Sequence, residues 1–232
     1  MGNNRLAAVL AQSTAVLFDF DGPLCDVFAG LPAPGVALDL AQIAAGHDSA
    51  LSDKLADTRD PLEVLRLCHA ADAALSEPIE TALTAAELKA VDVAGDPTDG
   101  AVEALRAAHD GGRRIAVVSN NSAECVRAFL VRHALAPYVH EVIGRPAGQP
   151  ELMKPAPHSV ILAASLLGVA PSACTLIGDS TTDVTAAHAA GSTAIGFANK
   201  PAKKGAFAEI GADAITDRMH SIAEALALLS GE

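Results

Sequence analysis

The sequence is poor in basic and aromatic residues. Its 232 residues include 16 Lys plus Arg against 28 Asp plus Glu, which gives a formal net charge of −12. Aromatic residues make up 3% and Trp is absent. Because a strongly acidic protein repels phosphate backbones, this composition argues against binding to nucleic acid and to anionic membranes. A site that handles phosphate would need its own local positive charge or a metal ion.

Clustered cysteines and long apolar runs are also missing. The four cysteines are scattered along the chain: Cys25, Cys68, Cys125 and Cys174. Without a C-x-x-C pair, this spacing argues against a zinc site and a disulfide framework, so we expect a cytoplasmic protein with free thiols. No apolar run reaches the roughly 20 residues that span a membrane. Residues 6–18 are rich in apolar residues but continue directly into Asp19, so we expect residues 1–13 to be a short lead-in to the first strand rather than a signal peptide.

Half of the residues are hydrophobic and the mean hydropathy is +0.30, which is enough for a sizeable core. Strand patterns alternate with helical ones in most of the chain, which predicts βαβ units and an α/β fold with a Rossmann-like parallel sheet and helices on both faces. The predicted strands are 15–18, 114–119, 139–144, 173–178, 193–197 and 214–216.

Residues 27–95 differ from the rest because they show helical periodicity and no strand pattern. The predicted helices are 36–45, 50–56, 61–70 and 78–93. We therefore predict an all-α cap at residues 27–95, inserted after the first strand. We expect residues 1–26 and 96–232 to form the Rossmann-like core.

The first predicted strand ends at two acidic residues, Asp19 and Asp21, and is followed by Gly22 and Pro23. Carboxyl ends of strands are where open α/β sheets place their ligands. Two carboxylates about 4 Å apart repel by roughly 4 kcal/mol at an effective dielectric constant of 20. A cation, a shared proton or a bound ligand must offset that repulsion. A simple Asp-Gly turn is the alternative interpretation.

Three further segments place polar residues at or just after strand ends. Ser119 and Asn120 precede a helix that could bind an anion, although capping alone would also explain them. Lys154 lies between prolines before another helix, where the alternative is a solvated surface lysine. Asp179 and Asp183 follow an apolar strand, and an N-cap explains one of them better than both. Parallel strands bring these ends to one edge, where so many oxygen ligands suit Mg²⁺ better than zinc.

In their order, these motifs resemble those of the haloacid dehalogenase superfamily of phosphohydrolases. The family motifs correspond here to the D-x-D-G run from Asp19 to Gly22, to Ser119, to Lys154 and to the G-D-x-x-x-D run from Gly178 to Asp183. The helical insertion resembles the α-helical cap that follows the first motif in the phosphoglycolate phosphatase-like branch.

The resemblance implies a role for each matched residue. Asp19 would be the nucleophile, and Asp21 would act first as the acid and then as the base. Mg²⁺ would be held by the Asp19 carboxylate, the Asp21 backbone carbonyl and Asp179. Asp183 would support the metal shell or orient Lys154. The implied phosphate-binding residues are Gly22, Ser119, Asn120 and Lys154.

The expected function is Mg²⁺-dependent hydrolysis of a small phosphorylated substrate by a monomer or homodimer. Asp21 favours phosphoryl transfer over dehalogenation, because the family's dehalogenases lack that second aspartate. A sugar-phosphate mutase similar to β-phosphoglucomutase is one alternative, and a non-catalytic binding module is another. A mutase must hold a second phosphate with cationic cap residues, and solvated helix surface is the other explanation for each of them. The cap offers Lys54, Arg59, Arg66 and Lys89. Among these, Arg59 is our first candidate for a substrate contact.

Overall fold

The computed structural model describes the backbone of residues 2–230 and the side chains of residues 5–229. Its six strands form one parallel sheet in the order β3-β2-β1-β4-β5-β6, which confirms the predicted α/β class. The strands are β1 Ala15–Phe18, β2 Arg114–Val118, β3 Glu141–Ile143, β4 Cys174–Gly178, β5 Thr193–Phe197 and β6 Ala214–Thr216.

Strand β1 lies in the interior of this sheet, between β2 and β4. In the register, Leu17 is paired with Ala116 on one side and with Leu176 on the other. All four residues of β1 are buried, because helices cover both faces of the sheet. The strand order reverses at β1, and this is where ligands bind in open parallel sheets.

Eleven α-helices are present in the described residues, with short 3-10 helices between some of them. The helices are α1 Gly2–Ala11, α2 Ala33–His47, α3 Leu51–Leu55, α4 Pro61–Ala71, α5 Ser76–Val93, α6 Ala101–Asp110, α7 Ala123–Arg132, α8 His158–Leu166, α9 Thr181–Ala190, α10 Lys203–Glu209 and α11 Met219–Ser230. None of them combines the length and apolarity needed to cross a bilayer.

The core consists of two layers, one on each face of the sheet. On one face, Val16 and Phe18 pack with residues of α1, α6, α7 and α11. On the other face, Ala15 and Leu17 pack with residues of α8, α9 and α10. This alternation along β1 is the period of two expected for a strand that is buried on both sides.

Helices α2 to α5 form a third apolar cluster of their own, with Leu40, Leu65 and Leu83 buried in it. We propose that this cluster is the core of the cap predicted at residues 27–95. The two segments that join it to the sheet are tied together, because Thr98 donates hydrogen bonds to the carbonyls of Gly22 (2.7 Å) and Leu24 (2.9 Å).

Most of the lead-in expected at residues 1–13 is helix α1, an element that the sequence did not predict. Leu6 and Leu10 stand four residues apart on one face of that helix and are almost fully buried in the core beside α11. The strand predicted at 139–144 is shorter in the structure, because only Glu141–Ile143 is paired with β2.

Candidate active site

Asp19 continues strand β1 and presents its carboxylate at the edge of the sheet. Its N–H donates to the carbonyl of Ile177 in β4 at 2.8 Å, so the backbone is fixed by the sheet. Its Oδ1 accepts hydrogen bonds from Lys154 Nζ and from the Phe20 N–H, both at 2.7 Å. The side chain is 12% exposed, so it is oriented, shielded and still reachable from the cavity.

Lys154 is buried and holds two carboxylates at once. Its Nζ lies 2.7 Å from Asp19 Oδ1, 2.6 Å from Asp183 Oδ1 and 3.0 Å from the Val118 carbonyl oxygen. Its backbone is equally constrained. Lys154 N–H donates to Asn120 Oδ1 at 2.9 Å, and Asn120 Nδ2 donates to the Lys154 carbonyl at 3.1 Å. The ammonium is therefore fixed between β1, β2 and α9.

The charged groups in this cluster shift one another's pKa values. Burial, together with the repulsion of Asp183, raises the pKa of Asp19, and the ammonium of Lys154 opposes that rise. Burial alone would lower the pKa of Lys154, but Asp183 and Asp19 outweigh it and raise that pKa overall. The lysine therefore stays charged, and its ammonium opposes the rise in the pKa of Asp19 without cancelling it.

Asp21 is placed differently from Asp19, although it is only two residues away. Its Oδ1 accepts a hydrogen bond from the Val27 N–H at 2.9 Å. Burial raises the pKa of Asp21 to about 6, even though the Val27 N–H favours the ionised form. A carboxyl group with such a pKa can give up a proton and take one back near neutral pH.

Asp179, at the end of β4, is held by two residues from the segment after β5. Its Oδ2 accepts hydrogen bonds from Lys203 Nζ at 2.5 Å and from Asn199 Nδ2 at 3.1 Å. Asp183, in the first turn of α9, uses both of its oxygens: Oδ1 contacts Lys154, and Oδ2 accepts from the Ser180 N–H at 3.0 Å in a capping box.

Two glycines are required by this crowding. A Cβ atom on Gly178 would lie 2.3 Å from Asp183 Cγ, and one on Gly22 would lie 2.4 Å from Asp179 Cγ. The Gly22 N–H is already bonded to the Cys25 carbonyl at 2.6 Å. The structure thus gives Gly22 a steric role beside Asp179, and its contact with phosphate stays a prediction.

Ser119 and Asn120 follow β2 in a loop, residues 119–122, that leads into α7. Ser119 Oγ accepts a hydrogen bond from the Asn121 N–H at 3.0 Å. The Ser122 side chain caps α7 by accepting from the Cys125 N–H at 3.3 Å. Within the described residues, the Asn120 N–H has no acceptor at hydrogen-bond distance. That N–H therefore remains available for a phosphoryl oxygen.

These groups line one cavity of about 240 Å³, which brings together the core residues predicted from the sequence other than Gly22. They are Asp19, Asp21, Ser119, Asn120, Lys154, Asp179 and Asp183. The helical segment contributes Asp60, Leu62 and Arg66 to the same cavity. Arg59 does not line it: this side chain is exposed, and its Nη1 donates to the Ala56 carbonyl at 3.2 Å.

A hard divalent cation fits the donors that are present. Carboxylate oxygens of Asp19, Asp179 and Asp183 lie within 4.8 Å of one another. Mg²⁺ prefers such oxygen ligands. Both oxygens of Asp183 are engaged, by Lys154 and by the Ser180 N–H, whereas the described hydrogen bonds of Asp19 and of Asp179 each fall on one oxygen. Asp19 and Asp179 therefore remain the candidate metal ligands, and Asp183 contacts Lys154 instead.

Sequence reasoning did not identify the partners of Asp179. Lys203 and Asn199 lie just after β5, at the same edge of the sheet as the predicted motifs. A basic segment after an apolar strand was the available signal. Arg66 was named among four cationic cap residues, but its position in α4 facing the cavity required the structure.

Comparison with known proteins agrees with this geometry. A family model described as haloacid dehalogenase-like hydrolase matches residues 14–191. A segment of 95 residues is 35% identical to a phosphoglycolate phosphatase of Salmonella paratyphi A and covers 41% of this chain. That segment spans 37% of the relative, so the match extends over little more than a third of its length.

Solved structures share the fold over almost the whole chain. A HAD family hydrolase from Deinococcus radiodurans R1, with bound phosphate and sodium, has a TM-score of 0.62 at 24% identity and covers 94% of this chain and 97% of its own. A provisionally named β-phosphoglucomutase from Thermotoga maritima has a TM-score of 0.61 at 21% identity, with 91% and 97% covered. At these identities the likeness shows the fold alone. By the family model, this chain belongs to the haloacid dehalogenase-like hydrolases.

Proposed function

We propose that this protein is a Mg²⁺-dependent phosphatase that hydrolyses a small phosphorylated metabolite through an aspartyl-phosphate on Asp19. The observation that carries the proposal is the buried ammonium of Lys154, which joins Asp19 to Asp183 beside the cavity that contains Asp21. An oriented carboxylate next to a group that can exchange a proton is what nucleophilic catalysis with acid–base assistance requires.

In the first step, Asp19 attacks phosphorus. Both of its hydrogen bonds fall on Oδ1, so we assign Oδ2 as the attacking oxygen. A bond forms between Oδ2 and phosphorus as the bond from phosphorus to the leaving oxygen breaks. Asp21 gives its proton to that leaving oxygen, and its pKa of about 6 leaves a protonated fraction for this purpose near neutral pH.

In the second step, water releases the phosphate. The ionised Asp21 takes a proton from a water molecule, whose oxygen attacks phosphorus. The bond between phosphorus and Asp19 breaks, so Asp19 is regenerated as a carboxylate and Asp21 is protonated again. The same residue thus serves as the acid in one step and the base in the next.

The phosphoryl group is held by the residues around these two aspartates. We assign the Asn120 N–H as one donor to it, and Ser119 Oγ as a second once the hydroxyl turns from Asn121 Oδ1 to a phosphoryl oxygen. The Lys154 ammonium contributes positive charge beside the phosphoryl group, because its three N–H groups are engaged by Asp19, Asp183 and Val118. Asp19, Asp179 and the Asp21 backbone carbonyl would hold Mg²⁺. When bound, the metal would neutralise both the crowded carboxylates and the phosphoryl oxygens.

The cap residues in the cavity bear on the substrate. Arg66 is the one cationic side chain that the described part of residues 27–95 contributes to the cavity lining. A single arginine suits a small leaving group with one anionic substituent. It suits less well a mutase, which must also hold a second phosphate. Phosphoglycolate, named in the curated relative, is therefore the first substrate to test.

Phosphate release from a panel of monoesters tests the proposal. The panel contains phosphoglycolate, several sugar phosphates and an aryl phosphate, each with and without Mg²⁺, and Asp19→Asn serves as the inactive control. We expect Mg²⁺-dependent release by the wild type and none by Asp19→Asn. Turnover that survives Asp19→Asn contradicts the proposal. Isomerisation that needs a bisphosphorylated activator and releases little phosphate would instead indicate the mutase.

A further inference from the structure

Glu87 is a fully buried carboxylate that the catalytic steps above do not use. It lies on α5, in the helical segment between β1 and β2, and its side chain is 0% exposed. Buried carboxylates are costly unless they are paired and hydrogen-bonded. Its partners therefore indicate what this group does.

The carboxylate of Glu87 is bonded to the loop of residues 119–122. Its Oε2 accepts a hydrogen bond from the Ser122 N–H at 2.9 Å, and its Oε1 accepts from Asn121 Nδ2 at 3.2 Å. Ser122 is the N-cap of α7, where a negative charge is favoured by the helix dipole. Two of the four residues of this loop are thus fixed by one side chain from α5.

Arg145, in the segment after β3, completes the arrangement. Its Nη1 donates both to Glu87 Oε1 at 2.9 Å and to the Asn120 carbonyl at 3.1 Å. The backbone N–H of Arg145 donates a hydrogen bond to the Asn121 carbonyl at 2.8 Å. The arginine therefore neutralises Glu87 and also holds Asn120, the residue that forms two hydrogen bonds with Lys154.

We propose that Glu87 is a positioning residue for phosphoryl binding, which sets the conformation of residues 119–122 from helix α5. The inference rests on the proposed function, because it assigns Ser119 and the Asn120 N–H to the phosphoryl group. The inference links helix α5 to the loop of residues 119–122, so the affinity for phosphate would depend on a residue that does not contact phosphate.

Glu80 provides a matched control on the same helix. Its Oε1 accepts from Arg145 Nε at 3.1 Å, and its Oε2 accepts from the Gly148 N–H at 2.8 Å. It shares the arginine partner of Glu87 but has no hydrogen bond to residues 119–122 in the described structure. If the two ion pairs with Arg145 only stabilise the fold, Glu87→Gln and Glu80→Gln should change phosphate affinity to a similar extent. If Glu87 positions the loop, only Glu87→Gln should weaken phosphate binding.

The test is the affinity for inorganic phosphate, measured by calorimetry in the presence of Mg²⁺, together with Tm, kcat and KM. For Glu87→Gln we expect about tenfold weaker phosphate binding and a matching loss in kcat/KM, as for loss of one hydrogen bond to a charged group. For Glu80→Gln we expect a lower Tm with phosphate affinity within about twofold of wild type, because its bonds lie outside the loop.

A second variant, Glu87→Asp, keeps the inference testable if Glu87→Gln does not fold. Glu87→Asp keeps the charge opposite Arg145 but withdraws the carboxylate from the Ser122 N–H by one methylene group, so weaker phosphate binding is again expected. A folded Glu87 variant with wild-type phosphate affinity overturns the inference. Failure of the wild type itself to bind phosphate or release it from any monoester would count against the proposed function instead.

Discussion

At the residue scale, the site centres on the ammonium of Lys154. It lies within 3.0 Å of oxygen atoms from Asp19, Asp183 and Val118, and it is almost completely buried. The sequence predicted a lysine in a stiff loop that precedes a helix. The family resemblance implied that Asp183 would support the metal shell or orient Lys154. Residue spacing alone did not predict that Lys154 contacts Asp19 and Asp183 at once, since that depends on how α9 packs against β1.

Asp21 is expected to matter most for substrates with poor leaving groups. Asp21→Asn removes the proton that the leaving oxygen needs, so we expect kcat/KM for an alkyl phosphate, which reports formation of the aspartyl-phosphate, to fall by about 10²–10⁴-fold. An aryl phosphate has a better leaving group, so the rate of its first step should fall much less in Asp21→Asn. Steady-state kinetics on the two substrates, at one Mg²⁺ concentration, measure the difference.

A thermal melt of Asp21→Asn controls for loss of stability, because the Asp21 carboxylate also accepts a hydrogen bond from the Val27 N–H. An equal loss on both substrates, with an unchanged aspartyl-phosphate hydrolysis rate, would contradict the assignment of Asp21 as the acid.

Other residues at this scale could not be assigned from sequence. Glu87 belongs to an amphipathic helix, and its spacing does not show that it faces a loop more than 30 residues away. Arg59 and Arg66 illustrate the same limit. Arg59 precedes α4 and Arg66 lies within it, but only the packed structure shows that Arg66 lines the cavity and that Arg59 donates a hydrogen bond to the Ala56 carbonyl in its own segment.

At the element scale, the turn from β4 into α9 allows no side chain at Gly178. An added Cβ would lie 2.3 Å from Asp183 Cγ, which would displace the carboxylate that orients Lys154. We expect Gly178→Ala to lower kcat by about 10²-fold, as misplacement by about 1 Å of catalytic groups does. Steady-state kinetics with the best monoester measure this loss.

Gly205→Ala is the matched control for Gly178→Ala. Gly205 lies inside α10, where an added Cβ meets no atom within 4 Å. Alanine in a helix interior should stabilise the protein by about 0.5–1 kcal/mol without changing kcat. Full activity in Gly178→Ala would show that Asp183 does not need its present position.

Helix α1 shows where the sequence signal was too weak. Leu6 and Leu10 form a single i, i+4 pair, and only Gln12, Ser13 and Thr14 separate helix α1 from the apolar strand β1, so the helical pattern is short. Leu10 is fully buried, and Leu10→Ala should lower the free energy of unfolding by about 2–5 kcal/mol. Urea unfolding, with the 71% exposed Leu228→Ala as control, measures the loss. Equal effects in both variants would mean that α1 does not contribute to the core.

At the scale of the whole molecule, the strand order explains why distant motifs meet. β1 is flanked by β2 and β4, so Asp19, Ser119 and Asp179 emerge from three neighbouring strands. This much could be predicted from strand ends alone, because parallel strands share one carboxyl edge. The face that each cap helix presents to that edge could not be predicted. Helical periodicity shows which side of a helix is buried, but it does not show which other element that side packs against.

The overall charge fits the same account. A chain with net charge −12 must concentrate cations where it meets an anionic substrate. Lys154, Arg66 and Lys203 lie at or beside the cavity, and two of them contact its aspartates. The acidic composition is therefore compatible with phosphate chemistry at this one edge of the sheet.

The central claim is that Asp19 carries the phosphoryl group. Rapid acid quenching of the enzyme during turnover of its best monoester with Mg²⁺, followed by peptide mass spectrometry, tests it most directly. We expect one phosphoryl group on the peptide that contains Asp19, and on no peptide of Asp19→Asn. Turnover at the wild-type rate with no phosphoryl group on Asp19, or an equal yield on another residue in Asp19→Asn, would contradict the account.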